Sequence, residues 1–428
     1  MGKSKQPRVK GNLKPASSSR AAELSASAAN PLALNNLGGF AQFVSANSPA
    51  ALLASPRPST PSSVDSIESL TTDLDPELVV IFKKISKRDT VTKIKALEEL
   101  EVYLQSNKHA IGLVLGSWVG LYGKLVLEVD RRVRLMANQV HTLITTNVKK
   151  KLAPHLKDVM GPWLLSMHDQ AKDIVRVARN SFERAGVISF CQKEILDYLT
   201  DMLLYKTVDT LSDARYVTKE DMLAKYARVV SSSFQILSYL ITELQVEERI
   251  KCEDEYKIIM DDTTLWRKFI THNNPLIRKS FYNFVKTLLL SWKDAIESRL
   301  ELICPNFFAG VFVEKDPFTH SDMWDALLLM TKNFPRSWVI IDKKKPALPK
   351  LYKFLGSGLN GSVNIAYPSI IALLANLPEE IKQNATFYTD IFDHLWKGLS
   401  SEYIDKSNFR VFLDAYTECI VYFAITLR

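Results

Sequence analysis

The densest chemistry in this sequence is cationic. Lys124, Arg131, Arg132 and Arg134 are followed by Lys149, Lys150, Lys151 and Lys157, ammonium and guanidinium groups suited to phosphate oxygens. The first twenty residues add Lys3, Lys5, Arg8, Lys10, Lys14 and Arg20 without one acid. Both runs favour a polyanion, either nucleic acid or an acidic membrane surface. Three consecutive lysines closing a helix also complement its negative dipole end, so Lys149–Lys151 carry two open readings, a cap and a phosphate-contacting edge. No aromatic RNA-stacking signature accompanies the charge, so contact with RNA should follow shape and backbone rather than base sequence.

Catalytic constellations are missing. Gly123-Lys124 has the tail of a phosphate-binding loop, but Trp118 stands at its first glycine position and Leu125 at its Ser/Thr position, so it reads as helix. The acids Glu247, Glu248, Glu253, Asp254, Glu255, Asp261 and Asp262 read as a solvated helix face or loop. The seven histidines are scattered, and Cys191, Cys252, Cys304 and Cys419 lie more than fifty residues apart. That spacing excludes paired-cysteine zinc sites and fits buried thiols in a reducing compartment. No cofactor is expected in this segment. The longest uncharged apolar stretch, Ala110–Gly123, is too short to span a bilayer, so no membrane partner is expected.

The elements that hold these residues are helical. Fifteen glycines in 428 residues leave few for positive-φ turns, and apolar residues after Asp130 recur as Val133, Met136, Ala137, Val140, Leu143 and Ile144. Order is expected from Asp75-Pro76-Glu77, where an N-cap, a first-turn proline and an acid agree. Helix openings recur at Asp89, Asp130, Asp173 and Asn274, with weaker ones near Ser321-Asp322, Gly361-Ser362 and Asp405. The 41- and 43-residue gaps between the first three match HEAT and armadillo arrays. An Asp or Asn would cap the second helix of each unit, and a basic residue a few positions on would reach the next unit's carboxylate. The 101 residues from 173 to 274 suggest two irregular units.

The expected fold is therefore all-α, a HEAT/armadillo-like helical-repeat solenoid behind a basic arm. Residues 1–72 hold seven of the 18 prolines and fourteen serines, a composition expected to be disordered when free. Within them Leu34, Leu37, Phe40 and Phe43 form an apolar island, with Leu37, Phe40 and Phe43 the candidates for contact with a partner. Repeats are expected over 73–190, and irregular further repeats over 191–428. The last stripe, Phe409, Phe412, Tyr416, Cys419 and Phe423, reaches Arg428 without the polar face that caps a solenoid, so the expectation is the N-terminal piece of a longer chain.

Three stretches resemble the listerin family of RING-type ubiquitin ligases. They are Arg8-Val-Lys10-Gly-Asn-Leu-Lys14-Pro15 with Arg20-Ala-Ala-Glu23-Leu24; Leu74-Asp75-Pro76-Glu77 leading to Lys84-Ile-Ser-Lys87-Arg88-Asp89 and on to Leu97; and Trp118, Asp130-Arg131-Arg132-Val133-Arg134 and Val148–Lys157, ending in Met160-Gly161-Pro162-Trp163. The resemblance implies a cytosolic HEAT-repeat ligase that docks on the large (60S) ribosomal subunit, contacts ribosomal RNA, and ubiquitinates stalled nascent chains. It implies as partners the nuclear export mediator factor, a ubiquitin-conjugating enzyme and ubiquitin, the last two through a downstream zinc-binding RING absent here. A monomer is expected. Arg8, Lys10, Lys14, Arg131, Arg132, Lys149, Lys150 and Lys151 are the ribosome-contact candidates, with Arg134 expected to pair with a neighbouring repeat. The competing reading is a non-catalytic HEAT-repeat adaptor or transport scaffold.

Overall fold

Helix α1 (Pro76–Ile85) begins where Asp75 accepts a hydrogen bond from the Glu77 N–H at 2.9 Å, with proline in the first position. The carboxylate satisfies a helix-start N–H that has no partner inside the helix, and proline loses nothing there. The chain, as a computed structural model, describes residues 74–182, 186–204, 217–340 and 347–426. Arg8, Lys10, Lys14 and the island Leu37, Phe40 and Phe43 lie outside the described residues.

Asp89 caps α2 (Thr90–Ser106), which a 3-10 turn at Lys108–Ala110 links to α3 (Ile111–Leu125). Asp130 caps α4 (Arg131–Val148), followed by α5 (Leu156–Met167), α6 (Lys172–Ser181) and α7 (Gln192–Leu204). The 25-residue α8 (Lys219–Glu243) starts at Thr218, whose hydroxyl accepts from the Asp221 N–H at 3.1 Å. Then come α9 (Thr263–Ile270), α10 (Pro275–Ser291), α11 (Leu300–Val311) and α12 (Pro317–Asn333). The unit closes with α13 (Ala347–Gly356), α14 (Val363–Ala375), α15 (Ala385–Gly398) and α16 (Phe409–Thr426). Short helical turns link several of these.

All described residues belong to one unit, Ser66–Arg428, built as two rows of helices. One row stacks α2 on α4 on α6, then α8, α10, α12, α14 and α16; the other holds α3, α5 and α7, then α9 with α11 and α13 with α15. The apolar stripes meet between the rows, burying Trp118, Tyr122, Ile144, Phe234, Trp266, Phe281, Phe284 and Trp324. Each repeat covers only its neighbours, the logic of an all-α helical-repeat solenoid. No strand occurs among the described residues.

Three expectations about helix starts change. Asp173 is not a cap: Ala171 caps α6 and Asp173 lies in its first turn, where the helix dipole favours a carboxylate. Ser321-Asp322 lies inside α12, whose cap is Asp316, accepting from the Phe318 N–H at 3.0 Å. The irregular 173–274 stretch contains α7 and the long α8, whose cap is Thr rather than Asp or Asn. Gly123-Lys124 is helical, inside α3.

Candidate nucleic-acid interface

Helix α4 carries both halves of the candidate basic edge and separates them. Arg131 and Arg132 open it, Lys149 follows its last residue, and eighteen residues at 1.5 Å each place the two groups about 27 Å apart. They do not form one patch.

At the α4 N-terminus the arginines are committed within the protein. Arg131 gives Asp173 two hydrogen bonds, Nη2 to Oδ2 at 2.7 Å and Nε to Oδ1 at 3.2 Å, and Arg132 Nη2 reaches Asp130 Oδ2 at 2.9 Å. The neighbouring guanidinium holds the Asp173 carboxyl below the ordinary carboxylate range, and Arg132 does the same for Asp130. Both arginine side chains remain about two-thirds exposed, at 64% and 69%, so these ion pairs contribute little to stability.

Arg134, the repeat's expected pairing residue, is buried. Its Nε donates to Asp169 Oδ2 at 2.9 Å and its Nη1 to the carbonyls of Glu128 and Val129 at 3.0 and 2.7 Å. Arg228 of α8, which the sequence reading missed, meets the same carboxylate at 3.2 Å and reaches the carbonyls of Val126, Leu127 and Glu128. Burial and the adjacent Arg134 pull Arg228 down to about 10; it stays charged at neutral pH. The arrangement recurs at α10. Arg278 binds Glu314 at 2.7 and 2.8 Å and the carbonyls of His272 and Asn273 at 2.7 and 3.1 Å. Lys93 pairs with Glu128 likewise. In all three cases a cation four residues past the cap grips a carboxylate 35 or 36 residues onward, which is the reach predicted between units.

The other end of α4 is different. Lys149, Lys150 and Lys151 are all exposed, and none forms an ion pair among the described residues. They start a 3-10 turn, Lys149–His155, anchored by buried Leu152. The cap reading expects the lysine side chains over the last carbonyls, but it is the Lys149 backbone N–H that bonds the Thr145 carbonyl. Lys149 adopts φ 47°, ψ −114°, a positive-φ conformation that L-residues rarely take. The Lys151 ammonium lies over the first turn of α3, 3.6 Å from where a Gly112 Cβ would stand. Lys108 and His109, also exposed, precede that turn. Their place on this edge was not visible in the sequence, because they follow a different helix.

Behind this edge Trp118 donates Nε1–H to His141 Nδ1 at 3.2 Å, and the imidazole stacks on Tyr122 at 3.9 Å and meets Trp163 edge-on. Burial drives His141 down to about 3. It is a neutral core histidine. Among the described residues no group of His, Cys, Asp and Glu could hold a metal ion, and no helix is long and apolar enough to cross a membrane. The acidic run is structural: Glu248 closes a capping box at Gln245, Asp262 caps α9, Asp261 binds Arg299, and Glu255 binds Lys193 at 2.9 Å.

The family described as E3 ubiquitin-protein ligase listerin, N-terminal domain, matches residues 73–377. Proteins named E3 ubiquitin-protein ligase listerin from Mus musculus and Drosophila melanogaster are each 30% identical over 98% of this chain, and one from Gallus gallus is 29% identical over the same share. This chain spans about a quarter of their length, 23% or 24%. The matched segment contains every helix of the arginine clasps and the lysine turn between them, and the chain belongs to the listerin family.

Proposed function

We propose that this chain is the ribosome-docking N-terminal module of a RING-type ubiquitin ligase acting on nascent chains stalled on the large ribosomal subunit. One observation carries the reading: a listerin N-terminal repeat array presents a lysine cluster that is unpaired among the described residues, while Arg131 and Arg134 pair with the carboxylates of Asp173 and Asp169. Charge free of internal partners is what an RNA surface can use. The partners in this reading are the large subunit with its RNA and, beside it, the nuclear export mediator factor. The ligation step belongs to a zinc-binding RING outside this chain, which would recruit the ubiquitin-conjugating enzyme. The setting is the cytosol, and the module acts as a monomer.

Co-sedimentation with purified large subunits, with and without the export mediator factor, tests this. Binding to subunits alone, strengthened by the factor, is the expected result; no binding in either case overturns it. The four unclustered cysteines add a second expectation. The purified chain neither retains stoichiometric zinc by elemental analysis nor builds ubiquitin chains when given charged conjugating enzyme.

A further inference from the structure

We infer that the lysine turn after α4, Lys149–Lys151, together with Lys108, forms the RNA phosphate-binding edge, and that Arg131, Arg132 and Arg134 at the opposite edge take no part in it. The inference rests on the docking reading above and narrows it to one end of the stacked helices.

Charge placement comes first. Between Glu101 and Asp158 the only acids are Glu128 and Asp130. Both sit at the α4 N-terminal edge, and both are consumed, by Lys93 and Arg132. The far edge, where α2 and α4 end and α3 begins, therefore holds Lys108, Lys149, Lys150 and Lys151 with no carboxylate from this whole stretch to neutralise them. A solvated lysine face normally mixes both signs; here the acids bounding the stretch are Glu101 of α2 and Asp158 in the first turn of α5, and among the described residues neither pairs with these four lysines.

Backbone conformation comes second and independently. Lys149 occupies φ 47°, ψ −114°, the mirror-turn region that glycine fills without strain and other residues fill at a cost. A glycine would turn the chain there more easily. With lysine in that place, the turn adds a third consecutive ammonium to Lys150 and Lys151, while Leu152 pins its base in the core. The Lys151 ammonium extends the row across Gly112 toward Lys108. Lysine suits this use because its ammonium is a mobile point charge that meets irregular phosphate spacing without a fixed fork.

The test is a salt titration of the whole 428-residue chain against purified large subunits, a generic RNA duplex, and vesicles containing one-fifth phosphatidylserine. Wild type should bind subunits and duplex with affinity falling steeply with salt. K149A/K150A/K151A should lower the magnitude of the log K against log salt slope by about 2 on both. R131A/R132A should leave it unchanged. K149G should melt no earlier than wild type yet lose about 0.7 to 0.9 of slope, since it relieves the backbone and removes one phosphate contact. If the triple variant does not fold, K150A/K151A, which spares the strained position, should lower the slope by about 1.5.

A folded lysine variant with wild-type slope on subunits overturns the proposal, as does an equal loss for R131A/R132A. Lysine-dependent binding to vesicles with no lysine dependence on RNA also overturns it and points to a lipid surface. If wild type binds duplex with the lysine dependence but ignores subunits, the docking reading fails and the phosphate edge stands.

Discussion

Asp169 is the residue on which most depends. Two buried arginines from different helices, Arg134 and Arg228, converge on it, and it also accepts from the Ala171 N–H at 2.9 Å. Replacing it with alanine leaves two guanidiniums with carbonyls but no counter-charge, a loss of about 3–5 kcal/mol, which urea melts would show. Arg131→Ala should leave the melting temperature unchanged, because its partner Asp173 is reached from an exposed position. His141 supplies a pH-dependent test. Its folded value of about 3 lies far below about 6.5 in an unfolded chain. Between those values the unfolded state binds the additional proton. The contribution is complete above pH 6.5 and declines as pH falls toward 3, by at most about 1.4 kcal/mol per pH unit. His141→Phe should keep the stack on Tyr122, lose about 1–3 kcal/mol near neutral pH by orphaning Trp118 Nε1–H, and show a shallower decline in melts toward pH 5. Arg134 was legible in the sequence because its offset from Asp130 repeats one seen at Lys93 and Arg278. Arg228 was not. It stands among the apolar and small residues Tyr226–Phe234, and only the fold brings it to a carboxylate 59 residues away.

Helix starts marked by Asp or Asn were legible because the cap chemistry is local: Asp75, Asp89, Asp130 and Asn274 all accept from their helices. Asp316-Pro317 has the same signature as Asp75-Pro76, five residues ahead of the weak opening at Ser321-Asp322. Asp316→Ala should cost about 1 kcal/mol through the lost cap, read as an earlier melt. The lysine and arginine halves of the α4 site were misjoined for a geometric reason: residues adjacent in a basic run bracket a helix, and the helix carries them to opposite edges. Packing between helices of the second row could not be read at all. An alanine Cβ at Gly161 of α5 would stand 2.6 Å from the Tyr198 ring of α7, and one at Gly310 of α11 would stand 2.5 Å from Ile270 of α9. Gly161→Ala should therefore destabilise by about 1–3 kcal/mol through overpacking; denaturant melts would reveal it, and wild-type stability would show that the two helices can separate without loss.

Across the whole array the clasps Lys93–Glu128, Arg134–Asp169 and Arg278–Glu314 each join a repeat to its successor. Together with row-on-row packing they couple repeats by nearest-neighbour contacts. Hydrogen exchange should accordingly slow in α4, α6 and α8 as one block and lose that shared protection in Asp169→Ala. Independent exchange of the three helices in wild type would contradict the coupling. Between α2 and α4 the clasp lies at the arginine edge, and no ion pair among the described residues joins their lysine-bearing ends. One margin is tied by the Lys93–Glu128 ion pair and the other is not, so the lysine-bearing margin is expected to be the more compliant of the two. A tilt of α4 by about 5° about its N-terminal end would move its lysine-bearing end, about 27 Å away, by about 2 Å. Paired spin labels should report a broader distance distribution between the ends of α2 and α4 than between their starts. A compliant margin of that kind would let the spacing of the ammonium groups adjust to a surface without breaking the Lys93–Glu128 pair.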